Sequence, residues 1–333
     1  MNQNKIHLNL SKDVTNQLKG VAIIFVVLIH VGLSPKYISG VSIFIILSGF
    51  GLTQSYFSSG LKEFFEKRLT SIYYPYLIVT LIWILLDYIL LRKVYGVESL
   101  LLNIAGLNVY PYIDSSMWFI TYIIIWYVIF YLTFIFFKHP HLRLFLILTS
   151  GTFCFFTSNI ISPSSGSSSY IFCFPIGVTI GYYYKWFQTK STKKSFYFEI
   201  ILFFIFCSGI FYMMQAEKGL YHLFENYHHN LINITLKKLS ISFIAILLFS
   251  SLATYKILIK PLIFLGSISY EMYLVEGKII LYYFNNFQAI TNPYIKGITA
   301  ITTVIISALI FKYIFRFIQR ILHNRLSLLN RPC

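Results

Sequence analysis

"LKGVAIIFVVLIH", from Leu18 to His30, is an apolar run that carries a lysine at its second position and a histidine at its last. Read as an α-helix, the eleven steps from Lys19 to His30 turn the side chain to within about 20° of its starting direction and climb ~16 Å. The two residues therefore share one stripe, three turns apart. A lysine at the end of an apolar helix reaches the lipid headgroups with its ammonium. His30 is different, because its height above Lys19 sets it near the middle of a bilayer, where an ionisable group is costly unless it faces protein or a wet cavity. Neutral imidazole is also the usual general base near pH 7. The stripe thus suggests an anion or phosphate site at the cytoplasmic edge joined to a base at mid-membrane.

Composition extends this reading to the whole chain. Of 333 residues, 57% are hydrophobic and only 11% charged, with a mean hydropathy of +0.70, whereas soluble domains are about 25% charged. Apolar runs long enough to cross ~30 Å of hydrocarbon recur at 16–34, 39–57, 72–92, 116–137, 142–159, 169–187, 196–214, 238–257, 263–285 and 296–318. The expected fold is all-α: a polytopic integral membrane bundle of about ten transmembrane helices. It forms one domain over 1–333 with no appended soluble domain. The first run has no cleavage site of the secretory kind and is expected to remain as a span.

The net charge of +16 excludes a nucleic-acid binder, because the basic residues sit in short connections rather than on one folded face. With the N-terminus in the cytoplasm, 19 of the 27 Lys and Arg residues fall on that side, so the positive-inside rule assigns both termini there. The external connections then include "SPSSGSSS" at 162–169, read as a flexible linker, and a longer loop at about 215–237. His222, His228 and His229 in that loop are read as solvated rather than metal-binding. Cys154, Cys173, Cys207 and Cys333 lack disulfide or zinc spacing and are read as three core residues and a tail thiol. No metal is expected.

Further motifs follow the first run. "GVSIFIILSGFGL" at 40–52 contains Phe44, Ser48, Gly49 and Phe50; Gly49 permits close helix approach and Ser48 a polar contact. "FFEKRLTSIYYPYL" at 64–77 leads from a basic loop with Lys67 and Arg68 to a helix-start proline, Pro75. "SMWFITYIIIWY" at 116–127 opens a tryptophan-led run. "LGSISYEMYLVEG" at 265–277 contributes Ser269, Tyr270, Tyr273 and Leu274 and carries Glu271 and Glu276 to the middle or outer half of the membrane, where carboxylates need partners. Each could orient His30 and stabilise its imidazolium, as the third member of a catalytic triad does, or could pair structurally with Lys278. Asp87 is a further candidate.

Taken together in this order, the motifs resemble the integral-membrane acyltransferase family 3, which includes bacterial enzymes that O-acetylate cell-surface polysaccharides. The family usually has arginine where this chain has Lys19, often a second basic residue at Ser71, and in many members a histidine at Glu276. The resemblance implies a membrane O-acyltransferase of the bacterial plasma membrane that takes acetyl from cytoplasmic acetyl-CoA. The acceptor would be a sugar hydroxyl of a surface glycan or its lipid-linked precursor. The resemblance implies His30 as the catalytic residue; Glu276 and Glu271 join it as catalytic candidates from their own depth in the membrane, the role of the family's histidine not carrying over to Glu276, and Lys19, Arg68 and Ser48 are expected to bind the donor. Partners are the glycan, membrane lipids and a second copy or a polysaccharide-assembly protein. His30 acts either as general base or as acyl carrier. A proton-coupled secondary transporter using His30, Glu271 and Glu276, or an inactive scaffold in an assembly complex, are the alternatives; no internal repeat of the transporter kind is visible.

Overall fold

The computed structural model describes residues 8–34, 40–107, 112–161, 166–190, 226–280 and 292–329. These form helices α1 (Lys12–Val31), α2 (Gly40–Ser59), α3 (Phe64–Arg68), α4 (Tyr74–Leu91), α5 (Val97–Ile104), α6 (Trp118–Phe136), α7 (Pro140–Ile161), α8 (Cys173–Lys190), α9 (Asn226–Thr254), α10 (Lys260–Ser267), α11 (Ser269–Gly277) and α12 (Pro293–Leu329), with no strand among the described residues. Among the described residues six helical stretches are long and apolar enough to cross a membrane: Lys12–Val31, Gly40–Ser59, Phe64–Leu91, Ser115–Phe136, Ile234–Thr254 and Pro293–Ile321. The all-α membrane architecture follows from this directly. The runs expected at 142–159 and 169–187 correspond to α7 and α8, which are not among the six, and the run at 196–214 lies outside the described residues, as do His222, Cys207 and Cys333. Cys173 is buried and Cys154 half-buried.

Three local expectations change. The apolar run at 263–285 is not one helix: the chain breaks at Ile268, which leaves helical geometry (φ −121°, ψ 10°) and separates α10 from α11. The basic loop before Pro75 is instead helical from Phe64. A proline inside a helix lacks its N–H and crowds the carbonyl four residues back; here residues Leu69–Tyr73 open into a π-turn ahead of it, and Tyr74 N–H reaches Leu69 O. Finally, the loop expected at 215–237 is helical from Asn226. In that helix Lys238 is buried, donates to Ser169 Oγ and lies 3.6 Å above the Tyr170 ring.

The chain falls into two compact units: Met1–Phe25, Pro35–Leu61 and Ile125–Ser267; and Val26–Ser34, Lys62–Ile124 and Ile268–Cys333. The first is knit by backbone contact between α2 and α8. A Cβ on Gly49 would stand 2.5 Å from Phe174 O, and one on Gly177 would stand 2.1 Å from Ile46 O. Both distances are impossible for a larger residue, so the two glycines set the helix spacing, as small residues do where lipid gives no hydrophobic drive. Ring packing of Trp126 on Phe174 (5.0 Å, stacked) fills the same layer. At the turn after α6, Arg143 Nη2 donates to Phe134 O at 3.1 Å and Arg143 Nε to Phe137 O, satisfying carbonyls the helix end leaves open.

In the second unit α11 is the organising element, and the tyrosines of its motif fasten it. Tyr270 Oη donates to Ile72 O (2.7 Å), Tyr273 Oη to Ser116 O (2.7 Å), and Trp83 Nε1 to Leu274 O (3.5 Å). The 3₁₀ turn Ser115–Met117, which starts the tryptophan-led helix, is capped by Asp114, whose Oδ1 accepts from Ser116 N–H at 2.8 Å.

Candidate active site around His30

α1 runs unbroken from Lys12 to Val31, so Lys19 and His30 hold the stripe their spacing gives. The helix ends one residue later because Gly32 adopts a left-handed conformation (φ +84°) and Leu33 N–H closes back onto Leu28 O. His30 therefore sits in the last turn of α1, within the second unit.

There its ring meets α11. His30 Nδ1 lies 2.6 Å from Glu276 Oε2, with the Glu276 side chain fully buried and the His30 side chain 26% exposed. A buried carboxylate must be paired or neutralised, and this contact supplies the partner. The contact also orients the imidazole: in the neutral tautomer whose Nδ1–H donates to Glu276, Nε2 keeps its lone pair. This is the arrangement of a base held in one tautomer by a carboxylate.

The other acidic groups are distributed differently. Glu271 Oε1 is 3.2 Å from Lys312 Nζ; five residues from Glu276 on the same helix, it faces another partner. Lys278, which either glutamate was placed to pair with, pairs instead with Asp87 Oδ2 at 2.5 Å, both groups only 1% exposed. Tyr95 Oη also donates to Asp87 Oδ2. The reason is phase: Lys278 lies just beyond the end of α11, two residues past Glu276, and so points away from His30 toward α4.

Sequence reasoning passed over Asp114. It is 2% exposed, and its Oδ1 accepts from both Ser116 N–H (2.8 Å) and Ser116 Oγ–H (2.7 Å). Gly277 makes room for it, since a Cβ there would lie 1.9 Å from Ser116 Oγ and 3.0 Å from Asp114 Oδ1. Because Gly277 follows Glu276, Asp114 comes within electrostatic range of His30, Glu276 and Lys278. The available signal was the pattern Asp-Ser-Ser before a tryptophan-led helix, a helix-start cap.

Of the remaining expected site residues, Arg68 is half-buried with its guanidinium 5.4 Å from the Phe64 ring centroid. Lys19 and Ser48 are half-buried members of the first unit; among the described residues nothing pairs with the Lys19 ammonium. The structure thus brings together His30 and Glu276, adds Asp114, and gives Glu271 to Lys312.

A family model described as an acyltransferase domain matches residues 15–317, from the first turn of α1 into α12. No curated protein and no solved structure matches the chain.

Proposed function

The chain belongs to acyltransferase family 3, and from that premise we propose that this membrane acyltransferase moves acetyl from cytoplasmic acetyl-CoA to a sugar hydroxyl of a surface glycan or its lipid-linked precursor. One observation carries the assignment of the chemistry: the 2.6 Å contact between His30 Nδ1 and a fully buried Glu276. With Nδ1 occupied, Nε2 accepts the proton of the acceptor hydroxyl as its oxygen attacks the thioester carbonyl. The C–S bond breaks, and the departing thiolate recovers that proton from the imidazolium. Glu276 stabilises the imidazolium between the two transfers. In the alternative route Nε2 itself attacks the thioester and the acceptor displaces the acyl-imidazole; the same pairing with Glu276 serves both. For the donor, Lys19, which has no acidic partner among the described residues, is proposed to contact the nucleotide phosphates; Arg68 and Ser48 are proposed as donor-binding residues from the family resemblance alone.

The test is the surface glycan of cells making the protein, analysed by mass spectrometry and NMR beside cells lacking it and cells making His30→Ala. Ester-linked acetyl present only with the intact protein is the expected result. Glycan acetylated normally by His30→Ala removes His30 from the chemistry, and vesicle uptake of an anionic solute without any acyl transfer would favour the transporter reading.

A further inference from the structure

Beside His30 two carboxylates are each half-satisfied. Glu276 gives Oε2 to the imidazole, while its Oε1 has no hydrogen-bond partner among the described residues. Asp114 gives Oδ1 to both Ser116 donors, while its Oδ2 has none among them. Glu276 is 0% and Asp114 2% exposed. A buried acceptor left without a donor costs the folded state its full desolvation, and the cap on Ser116 N–H uses Oδ1 and needs no second oxygen. Asparagine or serine would cap Ser116 as well.

Nor is Asp114 placed loosely. Its turn is fastened to α11 by Tyr273 Oη on Ser116 O (2.7 Å) and by the bare Cα of Gly277, next to Glu276. The two orphaned oxygens are therefore held on neighbouring parts of one buried cluster. Neither oxygen meets a donor among the described residues, and a hydroxyl, which can donate to a carboxyl oxygen, would complete either. Lys278, the cation in the same cluster, is held by Asp87.

We propose that Asp114 is an acceptor-binding residue: its Oδ2 takes a hydrogen bond from a hydroxyl of the acceptor other than the one that attacks, so the site selects molecules bearing at least two hydroxyls close together. The inference rests on the transfer reading given above and names the class of acceptor for that same site. No bond is made or broken at Asp114; the reacting hydroxyl still yields its proton to His30.

The experiment uses the purified full chain in lipid with labelled acetyl-CoA and two small acceptors, glycerol and 1-propanol, which differ only in two hydroxyls. Membranes bearing the cell's own glycan serve as reference. A hydrogen bond to a charged group corresponds to roughly a ten- to hundred-fold effect, so kcat/KM for glycerol should exceed that for 1-propanol by about that factor. Asp114→Ser keeps an oxygen for Ser116 and leaves no polar atom at the other position. It should erase the preference while leaving the KM for acetyl-CoA and the melting temperature near the parent values. A purely structural Asp114 would instead shift stability or all kinetic constants together. The proposal is overturned if the parent shows no preference, if the preference survives in Asp114→Ser, or if label reaches the glycan while neither alcohol is used. Failure to label glycan and alcohols alike would strike the transfer reading itself.

Discussion

Changing Glu276 to glutamine isolates the contact on which the chemistry rests. The substitution preserves shape, and the amide oxygen can still accept from His30 Nδ1–H, but the charge that balances an imidazolium is gone. At 2.6 Å between a buried carboxylate and a ring nitrogen, the hydrogen bond is charge-assisted, and such bonds contribute about 1.5–3 kcal/mol, or roughly ten- to hundred-fold in rate if the contribution appears only in the transition state. General-base removal costs about 10² to 10⁴, so His30→Ala should fall further than Glu276→Gln. The pair should also behave as a unit: once His30 is absent, Glu276 has nothing to orient, and the double variant should be no slower than His30→Ala alone. The assay is initial-rate transfer of labelled acetyl by the four proteins in lipid, with kcat and the KM for acetyl-CoA taken separately. A Glu276→Gln enzyme within twofold of the parent, or a double variant whose loss is the product of the single losses, would refute a Glu276 that acts through His30.

Lys19→Ala should raise the KM for acetyl-CoA about ten- to hundred-fold with kcat little changed, and Lys19→Arg should retain activity; donor kinetics unaltered in Lys19→Ala would leave the residue only its contact with headgroups. Gly177→Val should prevent α2 and α8 from closing, because its Cβ would fall 2.1 Å from a backbone oxygen; the expected outcome is loss of folded protein on fluorescence-detected size exclusion, and a normal elution profile counts against the glycine contact. Cysteines placed one at a time in the 58–71 segment should be labelled from the cytoplasm and protected from an impermeant reagent in intact cells, and external labelling would reverse the assigned orientation.

How much was legible depended on contrast. His30 and Glu276 stand out because each interrupts an apolar run, where an ionisable group has few explanations, and their pairing joins positions 246 residues apart in sequence. The membrane class and the helix-packing role of Gly49 were open to the same reasoning. Asp114 was not, because it follows "PYI" in a polar stretch that reads as a wet connection; what buries it is Gly277, and no local pattern announces that a glycine so distant in sequence admits it. Lys238 was hidden likewise: an ammonium at the end of an apolar run suggests solvent, yet the hydroxyl of Ser169 and the face of Tyr170 take the place of water around it. The break at Ile268 escapes hydropathy altogether, since "IFLGSISYEMYL" is apolar on both sides of it.

That break is what allows the second unit to hold a charge-bearing segment at all. A straight helix over 263–285 would carry Glu271, Glu276 and Lys278 on a surface fixed by the packing of its first half, and burial would then be decided for all three together. Starting afresh at Ser269, α11 is oriented by its own contacts, the hydroxyls of Tyr270 and Tyr273 and the carbonyl of Leu274, each made to a backbone or an indole rather than to a charge. With those fixed, Glu276 meets His30, Lys278 meets Asp87, and Glu271 meets Lys312. Among these, Asp87 and Lys278 neutralise each other, and truncating one alone should cost about 3–5 kcal/mol by leaving a buried charge. His30 and Glu276 differ, because the ring of that pair is the member that can give and take a proton, and an imidazolium there lies 2.6 Å from the buried carboxyl group. The site therefore holds a group that can serve as countercharge to a protonated ring, beside the Ile268 break that starts α11 afresh and the bare Cα of Gly277.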